Sequence, residues 1–171
     1  HSQRRGFMYK LGVLTVSTSG FYGQRDDTSG RTISDLLGPP TYHRVAYEII
    51  PDDRKRIEER FKTWADDLDI DLIISTGGTG LSPTDVTPEA CLAVVEKQIP
   101  GLCEAMRAET LEKTPMAMIS RSVAGIRGNT LIVTLPGSPK AVRECIEVIN
   151  PVLPHSLELL RGKSDGHPGT N

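Results

Sequence analysis

The chain has 171 residues, of which 37% are hydrophobic and 25% charged, with a formal net charge of −2 and a pI near 6.1. That length suits one domain able to bury a core. The charge balance gives no broad basic field, which excludes nucleic acid or an anionic membrane surface as the main expected partner.

No apolar stretch is long enough to cross a bilayer, so no membrane span is expected. Residues 1–9 read as a flexible lead-in. Leu11–Val16 predicts a strand, followed by Ser17, Thr18, Ser19 and Gly20 and a polar loop to about Asp27. A helix is predicted over Ser29–Leu37, stopped by Gly38-Pro39-Pro40, and then a strand over Arg44–Ile50. Pro51-Asp52-Asp53 opens a helix in which Ile57, Phe61, Trp64 and Leu68 recur at helical spacing, one apolar stripe on a charged segment. Trp64 belongs to that stripe and reads as packing.

The third strand, Ile70–Ser75, runs into three glycines in four positions, then Asp85, then a helix from Pro88 to about Lys97 with Thr87 as its cap. Pro100 opens a helix to about Lys113. Two extended pieces follow, Ala117–Ser120 and Val123–Ile126, joined through Arg127-Gly128-Asn129 to a strand over Thr130–Leu135. Pro136-Gly137-Ser138-Pro139 leads into a helix with Val142, Cys145, Ile146 and Ile149 on one face, and a last helix carries Leu153, Leu157 and Leu160. Residues 162–171 read as a tail, which leaves a single domain over 10–161.

Strands alternating with helices at this spacing predict a three-layer, doubly wound α/β fold with a mainly parallel sheet, helices on both faces and a small extended excursion near 117–127. In such folds ligands sit beyond the carboxyl ends of the strands. Ser17–Gly20, Pro51–Asp53, Thr76–Asp85 and Pro136–Pro139 each follow a predicted strand directly, so hydroxyls, glycines and carboxylates collect at one rim.

The glycine loop lacks the lysine of a phosphate-binding Gly-Lys-Ser/Thr loop, and Gly78-Thr79-Gly80 is followed by Leu81, Ser82 and Pro83 instead of completing a dinucleotide fingerprint. The histidines are scattered without ligand spacing, and no Gly-x-Ser-x-Gly elbow occurs. Bare glycines ahead of a helix start still suit a phosphorylated guest. Two carboxylates, Asp85 and Asp52, at neighbouring strand ends suit Mg²⁺, which takes few protein oxygens and completes its shell with water and phosphate. The pattern points to phosphoryl or nucleotidyl transfer. Asp85 fits a turn residue before a helix equally well, and Asp52 a helix cap. Cys91, Cys103 and Cys145 have no paired spacing and read as buried thiols, which suits a reducing, cytoplasmic setting.

Thr76-Gly77-Gly78-Thr79-Gly80 followed by Asp85-Val86-Thr87-Pro88-Glu89-Ala90, with Ile50-Pro51-Asp52, Asp27-Thr28-Ser29-Gly30, Gly125-Ile126-Arg127-Gly128 and Leu135-Pro136-Gly137-Ser138-Pro139, resembles the molybdopterin adenylyltransferase family, including the G domains of gephyrin and of the plant molybdenum-cofactor protein. The resemblance covers about Lys10 to Arg161. It implies transfer of AMP from Mg-ATP to the terminal phosphate of molybdopterin, with pyrophosphate released. It implies Asp85 and Asp52 as catalytic, Mg²⁺-associated acids. The nucleotide and phosphates would be lined by Thr76, Gly77, Gly78, Thr79 and Gly80, helped by Ser17, Thr18, Ser19 and Gly20 and by Asp27, Ser29 and Gly30. The pterin would lie toward Gly128 and Asn129 and the loop of Pro136, Gly137 and Ser138. It further implies a homotrimer and fusion to, or cooperation with, a molybdenum-insertion domain. Relatives commonly carry arginine where this chain has Thr84, aspartate at Thr18 and serine at Asn129, so the missing cation is expected from Lys140 or Arg127. A trimerising scaffold domain, or a pterin binder that does not use ATP, is the competing expectation.

Overall fold

A computed structural model describes residues 8–162; the expected lead-in and tail fall almost wholly outside them. Among the described residues the sheet has six strands in the order β2-β1-β3-β6-β5-β4. β1 (Tyr9–Val16), β2 (Tyr42–Ile50), β3 (Leu72–Thr76) and β6 (Thr130–Leu135) are mutually parallel, while β5 (Ala124–Arg127) runs antiparallel to β6 and the two-residue β4 (Lys97–Gln98) antiparallel to β5. Every residue of β3 and β6 is buried, which is why both read as unbroken apolar-rich runs rather than as alternating strands.

Side-chain alternation along the strands builds a core on each face. Leu11, Val13, Leu72, Ile74, Leu131 and Val133 pack under α2 (Thr28–Leu36), α5 (Pro100–Leu111), α6 (Pro139–Ile149) and α7 (Leu153–Leu160). Leu14, Val16, Ile73 and Ile132 face α3 (Arg54–Asp66) and α4 (Thr87–Val94). Ile57, Phe61 and Trp64 project from α3 into this second core, and burying Phe61 fully is worth roughly 2–3 kcal/mol. A methyl at Gly12 would lie 2.8 Å from Cε3 of Trp64, so the indole is packed flush against β1. Leu68 leaves the stripe and is 46% exposed, because α3 ends at Asp66 and the chain turns back through Asp69 at φ 51.

Four local expectations change. A short helix, α1 (Thr18–Phe21), capped by Ser17, occupies the start of the expected polar loop. α4 stops at Val94; Val95 is extended and the Glu96 N–H donates to the Ile126 carbonyl at 2.7 Å, which turns Lys97 and Gln98 into β4. Thr87 does not cap α4; its N–H donates instead to Gly78 O. Residues Pro115–Ile119 form a 3-10 turn rather than an extended piece, started by Thr114, whose hydroxyl accepts from the Met116 N–H.

At the rim opposite the glycine loop, buried Asp71 accepts from the Lys10 N–H at 2.8 Å and pairs with Arg161 at 2.6 Å, clamping the start of β1 to the end of α7. Among the described residues no helix is long and apolar enough to cross a membrane.

All three cysteines are free and buried. Burial pushes Cys91 and Cys145 up to about 12, with the Cys103 thiol adding to it, and pushes Cys103 itself up to about 11. A folded-state pKa above the unfolded value of about 8.5 gives a contribution that is complete below pH 8.5 and lost as pH rises through the folded value. The free energy of unfolding is therefore expected to fall progressively between about pH 8.5 and 12, and urea titrations across that range check it. Cys→Ala variants should flatten the slope.

Candidate active site at the carboxyl rim of the sheet

The parallel register aligns Val16 with Ile50, Thr15 with Thr76 and Thr76 with Leu135, so four strands deliver their following loops to one edge. Those loops are tied to one another. Ser17 N–H donates to Ile50 O, and Gly77 N–H to Leu135 O. Thr76 Oγ1 donates to Pro136 O and Ser29 Oγ to Gly137 O, each at 2.6 Å. Gly77, at φ +100, lies so close to β1 that a methyl there would sit 2.2 Å from Val16 O.

Both candidate carboxylates lie against the glycine turn. A methyl at Gly78 would sit 3.3 Å from Asp52 Oδ1, and one at Gly80 would sit 2.9 Å from Asp85 Oδ2. Neither acid is a helix cap. Asp53 caps α3 by accepting from the Arg56 N–H, which leaves Asp52 to accept from Thr18 Oγ1 at 2.8 Å. Asp85 closes a tight turn: its N–H donates to Ser82 O and its Oδ2 accepts from the Ser82 N–H at 3.0 Å. Thr87 Oγ1, fully buried beneath Gly78, has no hydrogen-bond partner among the described residues.

Among the described residues no three acidic, histidine or cysteine side chains converge to hold a metal unaided. A donor set this sparse fits Mg²⁺, whose remaining positions go to phosphate and water.

Two cavities of 480 and 510 Å³ open on either side of the loop after β6 and share Gly137 and Ser138. The first is bounded by Gly78, Thr79, Gly80 and Asp85, by Pro136, and by a wall from α5 and the 3-10 turn that includes Met106 and Ile119. The second is lined by Ser17, Gly20, Asp27, Ser29, Thr76 and Gly77, with Arg25 as its cation.

The other candidates are engaged by the fold or stand clear of the cavities. Thr18 is bonded to Asp52, and the Ser19 hydroxyl lies 3.4 Å from that of Ser17. Gly30 serves α2: its N–H donates to Asp27, and a methyl there would lie 2.2 Å from Asp27 Oδ2. Asp27 also accepts from Thr15 and Tyr47, so its oxygens are committed to the fold. Lys140 is exposed in the first turn of α6 and lines neither cavity.

Gly128 and Asn129 are not at the site. They form the turn between antiparallel β5 and β6, at the amino end of β6, roughly 20 Å along the strand from Pro136. Arg127 is equally unavailable, held by Asp66 at 2.8 Å and by Val94 O at 2.9 Å.

Arg121 carries no local signature that would single it out before the fold is known. Its Nε donates to Gly80 O at 2.7 Å, one terminal nitrogen donates to Asp85 O at 2.9 Å, the other pairs with Glu89 at 2.6 Å, and its backbone N–H donates to Thr79 O. The bond from Arg121 holds the Glu89 carboxyl below the usual carboxylate range. Every one of these partners lies more than thirty residues away along the chain, which is why sequence spacing cannot reveal the contact.

Comparison with known proteins agrees with this fold. Residues 12–155 match the family described as "Probable molybdopterin binding domain". The chain is 41% identical over 157 residues to a molybdopterin adenylyltransferase of Helicobacter pylori, covering 89% of this chain and 88% of that protein. It is 41% identical over 151 residues to the Drosophila melanogaster molybdenum cofactor synthesis protein cinnamon, covering 88% of this chain but 25% of that protein. The crystal structure of the molybdopterin biosynthesis enzyme MoaB from Thermus thermophilus superposes with a TM-score of 0.86 at 49% identity, covering 91% of this chain and 98% of that one. A doubly wound sheet matched along nearly its whole length, with the family match over residues 12–155, places the chain in the molybdopterin-binding domain family of molybdenum cofactor biosynthesis.

Proposed function

We infer that the chain is a molybdopterin adenylyltransferase, which moves AMP from ATP to the terminal phosphate of molybdopterin. The observation that carries the reading is the placement of Asp52 and Asp85 against one glycine turn, with Asp85, though not Asp52, lining the first of two cavities that meet at Gly137 and Ser138. Each cavity is large enough for one heterocycle, so the two substrates enter from opposite sides with their phosphates at the turn. A molybdopterin phosphate oxygen forms the new bond to the α-phosphorus, the bond from that phosphorus to the β-bridging oxygen breaks, and pyrophosphate leaves. No protein nucleophile is needed. The chain's part is to hold two anions in line and offset their charge.

Asp52 and Asp85 would hold Mg²⁺, which would supply charge neutralisation at the phosphate oxygens. The turn from Gly77 to Gly80 lets phosphate approach the main chain with no side chain in the way. The free thiols of the core suit a reducing compartment, and we place the reaction in the cytoplasm. We also assign a homotrimer. Leu81, Met116, Met118 and Ile119 are exposed, and the bond from Arg121 N–H to Thr79 O brings their two segments alongside each other to form a face for a second copy.

Incubation with molybdopterin and Mg-ATP is expected to yield adenylylated pterin and pyrophosphate in equal amounts. Absence of both overturns the reading. A scaffold role is favoured by one separate finding: cinnamon, and gephyrin of Dictyostelium discoideum at 39% identity, match this chain over only about a quarter of their length, so the domain occurs inside larger proteins. Such a role would survive loss of Asp85.

A further inference from the structure

We infer that Arg121 is a positioning residue for Asp85, a strap that fixes the acid's main chain so that its carboxylate stays turned toward the glycine loop. The inference rests on the adenylyl-transfer reading for its kinetic arm alone.

The turn carrying Asp85 has little else to hold it. Ser82, Pro83 and Thr84 are exposed, and the links inside the turn are short-range: Asp85 with Ser82, and the Ser82 hydroxyl with Thr84. Short polar turns of this kind open readily unless something distant anchors them. Arg121 supplies that anchor at three points of the same loop. Its backbone N–H takes Thr79 O, Nε takes Gly80 O, and a terminal nitrogen takes Asp85 O.

The remaining edge of the guanidinium is occupied by Glu89 in the first turn of α4, which fixes the plane of the fork. Planarity matters here, because the three acceptors are set apart around the rim of the fork and each meets a different nitrogen, whereas the donors of an ammonium all radiate from one nitrogen. With both carbonyls drawn toward Arg121, rotation of the peptide units on either side of the Ser82–Asp85 turn is blocked. The Asp85 side chain is then held where a methyl on Gly80 would touch it.

The same strap joins the turn to the wall of the first cavity. Ser120 and Ser122, on either side of Arg121, line that cavity, and Arg107 from α5 fixes both through their carbonyls at 3.2 and 3.0 Å. α5, the segment through Arg121 and the acid thus form one connected unit. Arg121 itself lines neither cavity, so its effect is exerted through Asp85.

Arg121→Ala and Arg121→Lys, each checked for a native unfolding midpoint, test the assignment by two readouts. In steady-state kinetics kcat is expected to fall about 100-fold, in the range seen when an aligned electrostatic group is lost. KM for ATP and for molybdopterin should stay nearly constant. Added guanidinium ion should partly restore kcat in Arg121→Ala, and Arg121→Lys should recover little.

The second readout needs no activity. Amide hydrogen exchange should quicken over residues 79–86 while α6 stays unchanged. Unaltered exchange there, or an unaltered kcat, or a loss confined to KM, overturns the strap. If the wild-type protein makes no adenylylated pterin, the reaction reading falls, and the exchange measurement still decides whether Arg121 holds the turn. Should Arg121→Ala not fold, Arg121→Lys carries both readouts.

Discussion

Asp85→Asn is expected to abolish most adenylyl transfer while leaving the fold intact. The substitution keeps the side chain's shape, and the amide oxygen can still accept from the Ser82 N–H, so the turn retains its closing bond. What disappears is one of two negative charges at the place where, on the proposed reaction, phosphate and cation would meet. Loss of one aligned electrostatic group at a transition state costs about 3–4 kcal/mol, or about 10²–10³-fold in kcat. Stability should move by less than about 0.5 kcal/mol. Pyrophosphate release, followed beside a urea titration of the same preparation, separates the two roles the sequence left open. A residue serving the turn alone would leave both rate and stability nearly unchanged, because the closing bond survives the substitution. Asp52→Asn is expected to act in the same direction, and the double variant should fall short of the product of the two losses, because both acids serve one centre.

The largest stability effect is expected from Gly77→Ala. At φ +100 a side chain is strained whatever surrounds it, and here the added methyl would also lie 2.2 Å from Val16 O, a backbone atom of the neighbouring strand. Relief requires β1 and β3 to move apart at the rim, which also disturbs the Gly77 N–H bond to Leu135 O. Strain and displacement together should cost about 4 kcal/mol or more. Gly128→Ala is the control. Its φ is +59 with open space around it, so only the left-handed penalty of about 1–2 kcal/mol applies. Urea unfolding of the two variants should rank them in that order; equal losses would show that the approach to Val16 relaxes freely.

The strands were legible because β1, β3 and β6 are covered on both faces and must be apolar almost throughout. The rim was legible for a related reason: in parallel strands the loop that follows each strand falls at the same edge, so Ser17, Asp52, Asp85 and Ser138 could be grouped from strand order alone. The expectation for Gly128 and Asn129 came from the family resemblance and not from strand order. β5 runs antiparallel to β6, so the loop between them lands at the opposite edge, and Gly128 and Asn129 went with it. The end of α4 was misplaced because β4 exists through its pairing with β5, a partner about thirty residues away. Thr87 looked like a cap because its neighbour is Pro88, yet its N–H is engaged by Gly78 of the folded turn. Asp53 and Asp52 are adjacent and chemically alike, and only the geometry shows which one caps α3.

The clamp at Asp71 has a consequence for how such a unit travels between proteins. Because Lys10 and Arg161 converge on one buried carboxylate, the fold's entry and exit lie side by side, on the edge turned away from the glycine loop. A host polypeptide can receive this unit as a cassette, or a permuted version can be closed with a short connector, and the linking chain need never cross the mouth of either cavity.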